Sequence, residues 1–347
     1  MDFASILSIL VPVAVCCLLI VTANQDEKQQ TPFARSRWLM YGVTAGLFGF
    51  ALTLLPYVLL SSEQLMTTSL PVTSDKAGTL LAFTLCMIGA ALSLIFVGAP
   101  QSRRLIMHWS GDQAHFNPWS SVHVAAIILS LALLATNLAQ LILSGGVEGL
   151  AQQFDEESST FISSVLLQQA LWIFPSFLGV GLLVRRNLRA SVERLGLRRP
   201  TADDILTGIG VAIAMLIFVF ALSFVWTLVT APETLAEQTA ASAEISEAVN
   251  TLPLALLVSI AVAFGEEIFF RGALQPIFGI GLTSVFFMLL HTQYTLTPAS
   301  IAILVLSVSL GWLRKRHSTT AAIIAHLLYN FAQLALAIFA SSFVGGI

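Results

Sequence analysis

Apolar runs long enough to cross a bilayer recur along this chain from end to end, and nothing else in it constrains the fold as strongly. An α-helix rises 1.5 Å per residue and needs about 20 apolar residues to span the hydrocarbon core, satisfying its own backbone hydrogen bonds on the way. Such runs imply an all-α fold, a polytopic transmembrane helical bundle rather than a barrel. Composition agrees: of 347 residues, 56% are hydrophobic and only 10% charged, against roughly a quarter charged in soluble domains. Mean hydropathy is +0.86. The net charge of -3 does not point to any class of partner.

The predicted spans, about ten, are 3–22, 38–60, 78–98, 121–143, 161–184, 205–229, 251–276, 282–296, 299–313 and 319–340. Asp2 is the only charge ahead of the first run, which therefore lacks the basic leader of a signal peptide and reads as a retained span. Basic residues follow the odd-numbered spans: Lys28, Arg35 and Arg37; Arg103 and Arg104; Arg185 to Arg199; Arg314, Lys315 and Arg316. The intervening loops are acidic or neutral. The positive-inside rule then places both termini on the non-cytoplasmic side. Residues 1–200 read as an N-terminal transmembrane bundle of about five spans with a basic cytoplasmic linker, and 201–347 as a C-terminal transmembrane region. The linker reads as a topology anchor that can rest on anionic headgroups. Cys16, Cys17 and Cys86 have no metal-ligand or redox spacing and read as small buried hydrophobes.

Against this background, "EEIFFR" at 266–271, "FMLLH" at 287–291 and "HLLYN" at 326–330 stand out. Ionisable groups in hydrocarbon are costly and face a cavity, a partner or a substrate path. Glu267 and Arg271 are four apart on one helical face and can pair, whereas Glu266 is rotated about 100° away without that partner. A carboxylate so placed among apolar neighbours has its pKa raised, which suits a proton acceptor. His326 and Asn330 also share a face, and Phe287 lies one turn below His291 as packing. The breakers Pro276, Gly279 and Gly281 predict a turn around "PIFGIG". Glu267 and His291 each lie twelve residues from Gly279, so the two side chains can meet at one depth. The polar link of Thr292, Gln293, Tyr294, Thr295, Thr297 and Pro298 must be buried in protein or line a wet cavity.

A carboxylate, two histidines and an amide in a wet intramembrane pocket suit peptide hydrolysis, which needs a base for water, a proton carrier and oxyanion donors. Glu266 can serve as the base with His291 orienting the water, and His326 and Asn330 can donate to the oxyanion. The same set fits zinc, with Glu266, His291 and His326 as ligands and an open fourth position. Neither HExxH nor GxGD occurs.

Glu266, Glu267, Arg271 and Gly272 match EExxxR(G); Phe287 and His291 match FxxxH; His326 and Asn330 match HxxxN. In these motifs and their order the chain resembles the CPBP family of CAAX proteases and bacteriocin-processing enzymes, also called Abi, over about 251–340. The resemblance implies an intramembrane endopeptidase. By analogy with the Ras-converting CAAX endoprotease, Glu266 and His291 would activate water and His326 and Asn330 would form the oxyanion hole. Glu267 and Arg271 would support them, through a glutamate mechanism favoured over zinc and with no cofactor. The expected partner is a membrane-associated protein or peptide, prenylated or not, with no nucleic acid, and the expected location is the cell membrane. The rivals are a proton-coupled transporter and a non-catalytic scaffold or immunity protein of the same family. A transporter of this kind is expected to carry a second related half with broken helices or buried acids, and spans one to six carry no buried carboxylate. Asn137, Gln140, Gln168 and Gln169 read as interhelical hydrogen-bonding groups.

Overall fold

The computed structural model describes residues 3–59, 76–110, 116–146, 158–230, 249–291 and 298–344. The named helices are α1 (Phe3–Lys28), α2 (Ser36–Leu59), α3 (Lys76–Gly98), α4 (Pro100–Ser110), α5 (Ser121–Leu143), α6 (Ser158–Gly179) and α7 (Leu188–Arg194). They continue as α8 (Ala202–Val229), α9 (Leu252–Glu267), a π-helical turn (Ile268–Leu274), α10 (Gln275–Leu290), α11 (Pro298–Arg316) and α12 (Thr319–Val344). The fold is an all-α polytopic bundle, with no strand among the described residues. Among the described residues, eight helical stretches are long and apolar enough to cross a membrane, and the residues from Leu252 to Leu290 form one of them. α11 is not among the eight; it ends in Arg314, Lys315 and Arg316. This is an integral, multi-pass membrane protein.

The chain forms two compact units, the first comprising Met1–Leu150, Phe177–Ser191 and Pro276–Leu282. Its core joins α2 (Leu47, Ala51, Leu54), α3 (Ala82, Cys86, Ala90) and α5 (Ala135, Ala139). Water-driven burial cannot hold helices together in lipid, so small residues that allow close backbone approach take over. Gly89 illustrates this: a Cβ there would lie 2.9 Å from Ala135 Cβ and 3.1 Å from Leu47 Cδ2. Cys86 is buried as expected, whereas Cys16 and Cys17 are only half-buried. Buried Arg103 closes the end of α3, donating from Nε to Phe96 O (2.6 Å), from Nη2 to Val97 O (2.6 Å) and from Nη1 to Pro118 O (3.0 Å). Loss of water pushes this guanidinium below its usual range.

The second unit comprises Ala151–Ser176, Val192–Gln275 and Thr283–Ile347. α8, α11 and α12 share a core of Ala212, Met215, Leu306, Leu310, Leu313, Ala322, Ala325 and Tyr329. Gly208 lets α8 approach α12, since a Cβ there would stand 3.1 Å from Ile324 Cγ2. A capping box starts α8: the Thr201 hydroxyl accepts from Asp204 N–H while the Asp204 carboxylate accepts from Thr201 N–H. The chain break expected around "PIFGIG" falls at Gly279, whose φ of 75° and ψ of 175° are non-helical. Only glycine adopts that backbone region readily.

Candidate active site

α9 carries Glu266 and Glu267 at its C-terminal end and passes directly into the π-helical turn. Such turns occur inside α-helices mostly at functional sites, where the wider ring re-aims side chains and frees backbone groups. Here the freed carbonyls find basic partners: Arg314 Nε donates to Arg271 O and Arg194 Nη1 to Gly272 O, both at 3.3 Å. Gly272 itself packs on Leu195, whose Cδ2 would be 3.0 Å from a Cβ at this position.

Glu267 is fully buried, and its two oxygens serve different helices. Oε2 is 3.1 Å from Arg271 Nε, at the i,i+4 spacing expected from the sequence. Oε1 is 2.9 Å from Nδ1 of buried His326 on α12. Arg271, 1% exposed, also donates from Nη2 to Ser307 O (3.2 Å) and Ser307 Oγ (3.1 Å) on α11, and its guanidinium carbon sits 4.6 Å from the centre of the Phe287 ring. Arg271, Glu267 and His326 therefore form one buried polar chain across three elements. An isolated ion at this depth is costly; the ion pair with Arg271 and the hydrogen bond with His326 offset that cost.

Glu266 points elsewhere. Its Oε2 lies 3.9 Å from His291 Nε2, with the two side chains 13% and 21% exposed, respectively. Among the described residues this buried oxygen has no hydrogen-bond partner. His291 ends α10, and its Nδ1 is 2.8 Å from Phe287 O. A carbonyl can only accept, so Nδ1 is the donor to Phe287 O and Nε2 is the ring nitrogen on the Glu266 side. Phe287 is 1% exposed and holds both imidazoles, with its ring centre 4.4 Å from that of His291 and 6.3 Å from that of His326. Asn330 is half-buried one turn beyond His326 and has no hydrogen bond among the described residues. The polar link from Thr292 to Thr297 lies outside the described residues, as does the side chain of Pro298.

The residues considered for zinc do not gather as a ligand set. Among the described residues no three His, Cys, Asp or Glu side chains stand together as metal ligands, and His326 is turned by its Nδ1 towards Glu267.

One contributor was missed at the sequence level. Gln169 on α6 is 4% exposed, and its Oε1 has no hydrogen-bond partner among the described residues. It lies flat against Gly265, the residue before Glu266: a Cβ on Gly265 would be 2.2 Å from that oxygen. One turn on, Trp172 stacks beside Phe269 with ring centres 4.4 Å apart. α6 therefore backs the glutamate segment. The only sequence signal was an amide and a tryptophan three residues apart on one face of a span. Asn137, read in the same way, donates within its own helix to Leu133 O (3.1 Å).

Comparison with known families matches residues 248–332 to the Rce1-like family, described as type II CAAX prenyl endopeptidase Rce1-like. The match covers about a quarter of the chain, and all three motifs lie inside it, whereas Gln169, Trp172 and Arg194 lie outside. No curated protein and no solved structure matches the chain. Through residues 248–332, which carry the paired glutamates, both histidines and the asparagine, the chain is similar to the Rce1-like family of CAAX-type endopeptidases.

Proposed function

We propose that the protein is an intramembrane endopeptidase that cleaves a membrane-associated protein or peptide by a glutamate mechanism. The observation that carries this reading is the separation of the adjacent glutamates into different environments. Glu267 is committed to Arg271 and His326, while Glu266 stands beside His291 Nε2 and its Oε2 has no hydrogen-bond partner among the described residues. In this mechanism a water bound between Glu266 Oε2 and His291 Nε2 gives its proton to Glu266 as its oxygen attacks the scissile carbonyl carbon. The carbonyl π electrons move onto oxygen, which accepts hydrogen bonds from Asn330 Nδ2 and His326 Nε2. Collapse breaks the C–N bond, and Glu266 returns the proton to the leaving amine.

With Nδ1 of His326 held by Glu267, its Nε2 can donate only when the ring is an imidazolium. The Glu267 carboxylate stabilises that charge, which gives the buried pair a role in the reaction as well as in the fold. A prenylated CAAX-like substrate is the reading suggested by the family description.

The test is cleavage of membrane-anchored and CAAX-like peptides by purified wild type, Glu266→Gln and His291→Ala. Loss of the general base should lower kcat by about 10²–10⁴-fold, and Asn330→Ala should lower it by about 10²–10³-fold as an oxyanion donor is removed. Equal cleavage by all variants would show the site to be wrongly assigned.

A further inference from the structure

The first unit contains a surface cavity of about 480 Å³ lined by Gln25, Lys28, Gln29, Arg35, Leu183 and Val184, a size within the range of small-ligand pockets. Gln25 and Lys28 lie three residues apart in the last turn of α1, and Gln29 follows directly in the turn after it. Arg35 stands just ahead of α2, and the tight turn after α6 supplies Leu183 and Val184. Among the described residues, neither the Lys28 ammonium nor the Arg35 guanidinium has an ion-pair partner.

The acids adjoining them in sequence are already committed. Buried Asp26 accepts from Arg35 N–H (3.2 Å), Ser36 N–H (2.9 Å) and Ser36 Oγ (2.6 Å), and Glu27 accepts from Ser120 Oγ. The neighbouring arginines are occupied as well: Arg185 donates to Asn24 Oδ1 (2.7 Å) and Arg186 to Val180 O. Positive charge is thus left facing the cavity while every adjacent compensating group is engaged in holding the loops.

The turn adds an apolar element. Gly181 O accepts from both Arg185 N–H (2.9 Å) and Arg186 N–H (2.8 Å), and this fixes Leu183 at φ 66° with 84% of its surface exposed. A leucine held outward in the left-handed region suits neither water nor a loop entropically free to turn it inward. It suits the boundary between headgroups and acyl chains. α2 begins at the same loop with Trp38, 67% exposed under Arg37, an aromatic of the kind that anchors at headgroup depth.

We propose that this cavity binds the phosphate of an anionic phospholipid. Lys28 and Arg35 neutralise the phosphate, the Gln25 and Gln29 amides donate to headgroup oxygens, and Leu183 lies along the glycerol–acyl boundary. Phosphate is also available as the free ion, so the test separates the two sources.

Native mass spectrometry of the full chain in neutral detergent, titrated with phosphatidylglycerol or phosphatidylcholine, reads the bound lipid directly. Wild type should retain phosphatidylglycerol in preference to phosphatidylcholine. Lys28→Ala with Arg35→Ala should weaken that binding roughly thirtyfold, about fivefold per basic side chain near an anionic group. Arg104→Ala with Arg316→Ala removes the same charge outside the cavity and should change it little. Equal retention of the two lipids by wild type, or equal loss in the control pair, overturns the proposal. Inorganic phosphate in place of lipid should give no comparable protection against thermal unfolding; protection by phosphate without a preference for phosphatidylglycerol overturns the lipid assignment.

Discussion

Glu266 and Glu267 are neighbours in sequence, yet their removal should have opposite consequences. Glu267→Ala leaves Arg271, 1% exposed, without its carboxylate and should cost about 3–5 kcal/mol, read as a large drop in the thermal unfolding midpoint in detergent. Glu266→Gln keeps the shape of a half-buried side chain with no committed partner, so stability should be nearly unchanged while cleavage is lost. A second residue-scale expectation concerns Gly265→Ala, which forces a methyl group against Gln169 Oε1 and Cβ and should cost about 1–3 kcal/mol by overpacking. Adding Gln169→Ala should recover part of that loss, so the two changes would be non-additive in unfolding measurements. The i,i+4 rule exposes the Glu267–Arg271 pair from sequence alone because both partners lie on one helix. It does not show that His326 takes the other oxygen, because that contact spans 59 positions and depends on how α12 packs. Gln169 was hidden for the same reason: its partner is a glycine, which leaves no side-chain signal.

At the scale of elements, the site depends on a chain reversal. Three helix breakers were enough to place that reversal near Gly279, but the residue count paired Glu267 with His291, whereas Glu266 comes within 3.9 Å of His291 and Glu267 turns to His326. Gly279→Ala puts a Cβ at φ 75° and ψ 175°, which should cost about 1–3 kcal/mol of backbone strain. The same change should depress cleavage beyond its effect on stability, because the two legs carry the proposed base and its partner imidazole. Unfolding and kcat measured on the same preparation check this. The π-helical turn was not legible. Ile268–Leu274 reads as ordinary apolar helix in sequence, and the wider turn shows only in the backbone, where Gln275 N–H donates to Phe270 O.

For the whole molecule, recurrent apolar runs were sufficient to identify an all-α membrane bundle, because a spanning chain has so few ways to satisfy its backbone. They gave no access to the division into units, in which Ala151–Ser176 joins the C-terminal half while Pro276–Leu282 joins the N-terminal half. Hydropathy carries no information on which spans pack together. The charge pattern of the loops predicts that both termini lie outside. In intact cells, single cysteines at Arg37 and Arg316, in a background lacking Cys16, Cys17 and Cys86, should resist a membrane-impermeant thiol reagent, and cysteines added at either terminus should react. The π-helical turn has a further consequence for how this region can vary. An α-helix tolerates small changes in length by rotating its downstream turns, but here Glu267, Arg271 and Gln275 are each fixed to a different group: His326, Ser307 and Gly311 O, the last at 2.8 Å. The number of residues from Glu267 to Gln275 is therefore a structural constant, and single deletions there should be far less tolerated than substitutions.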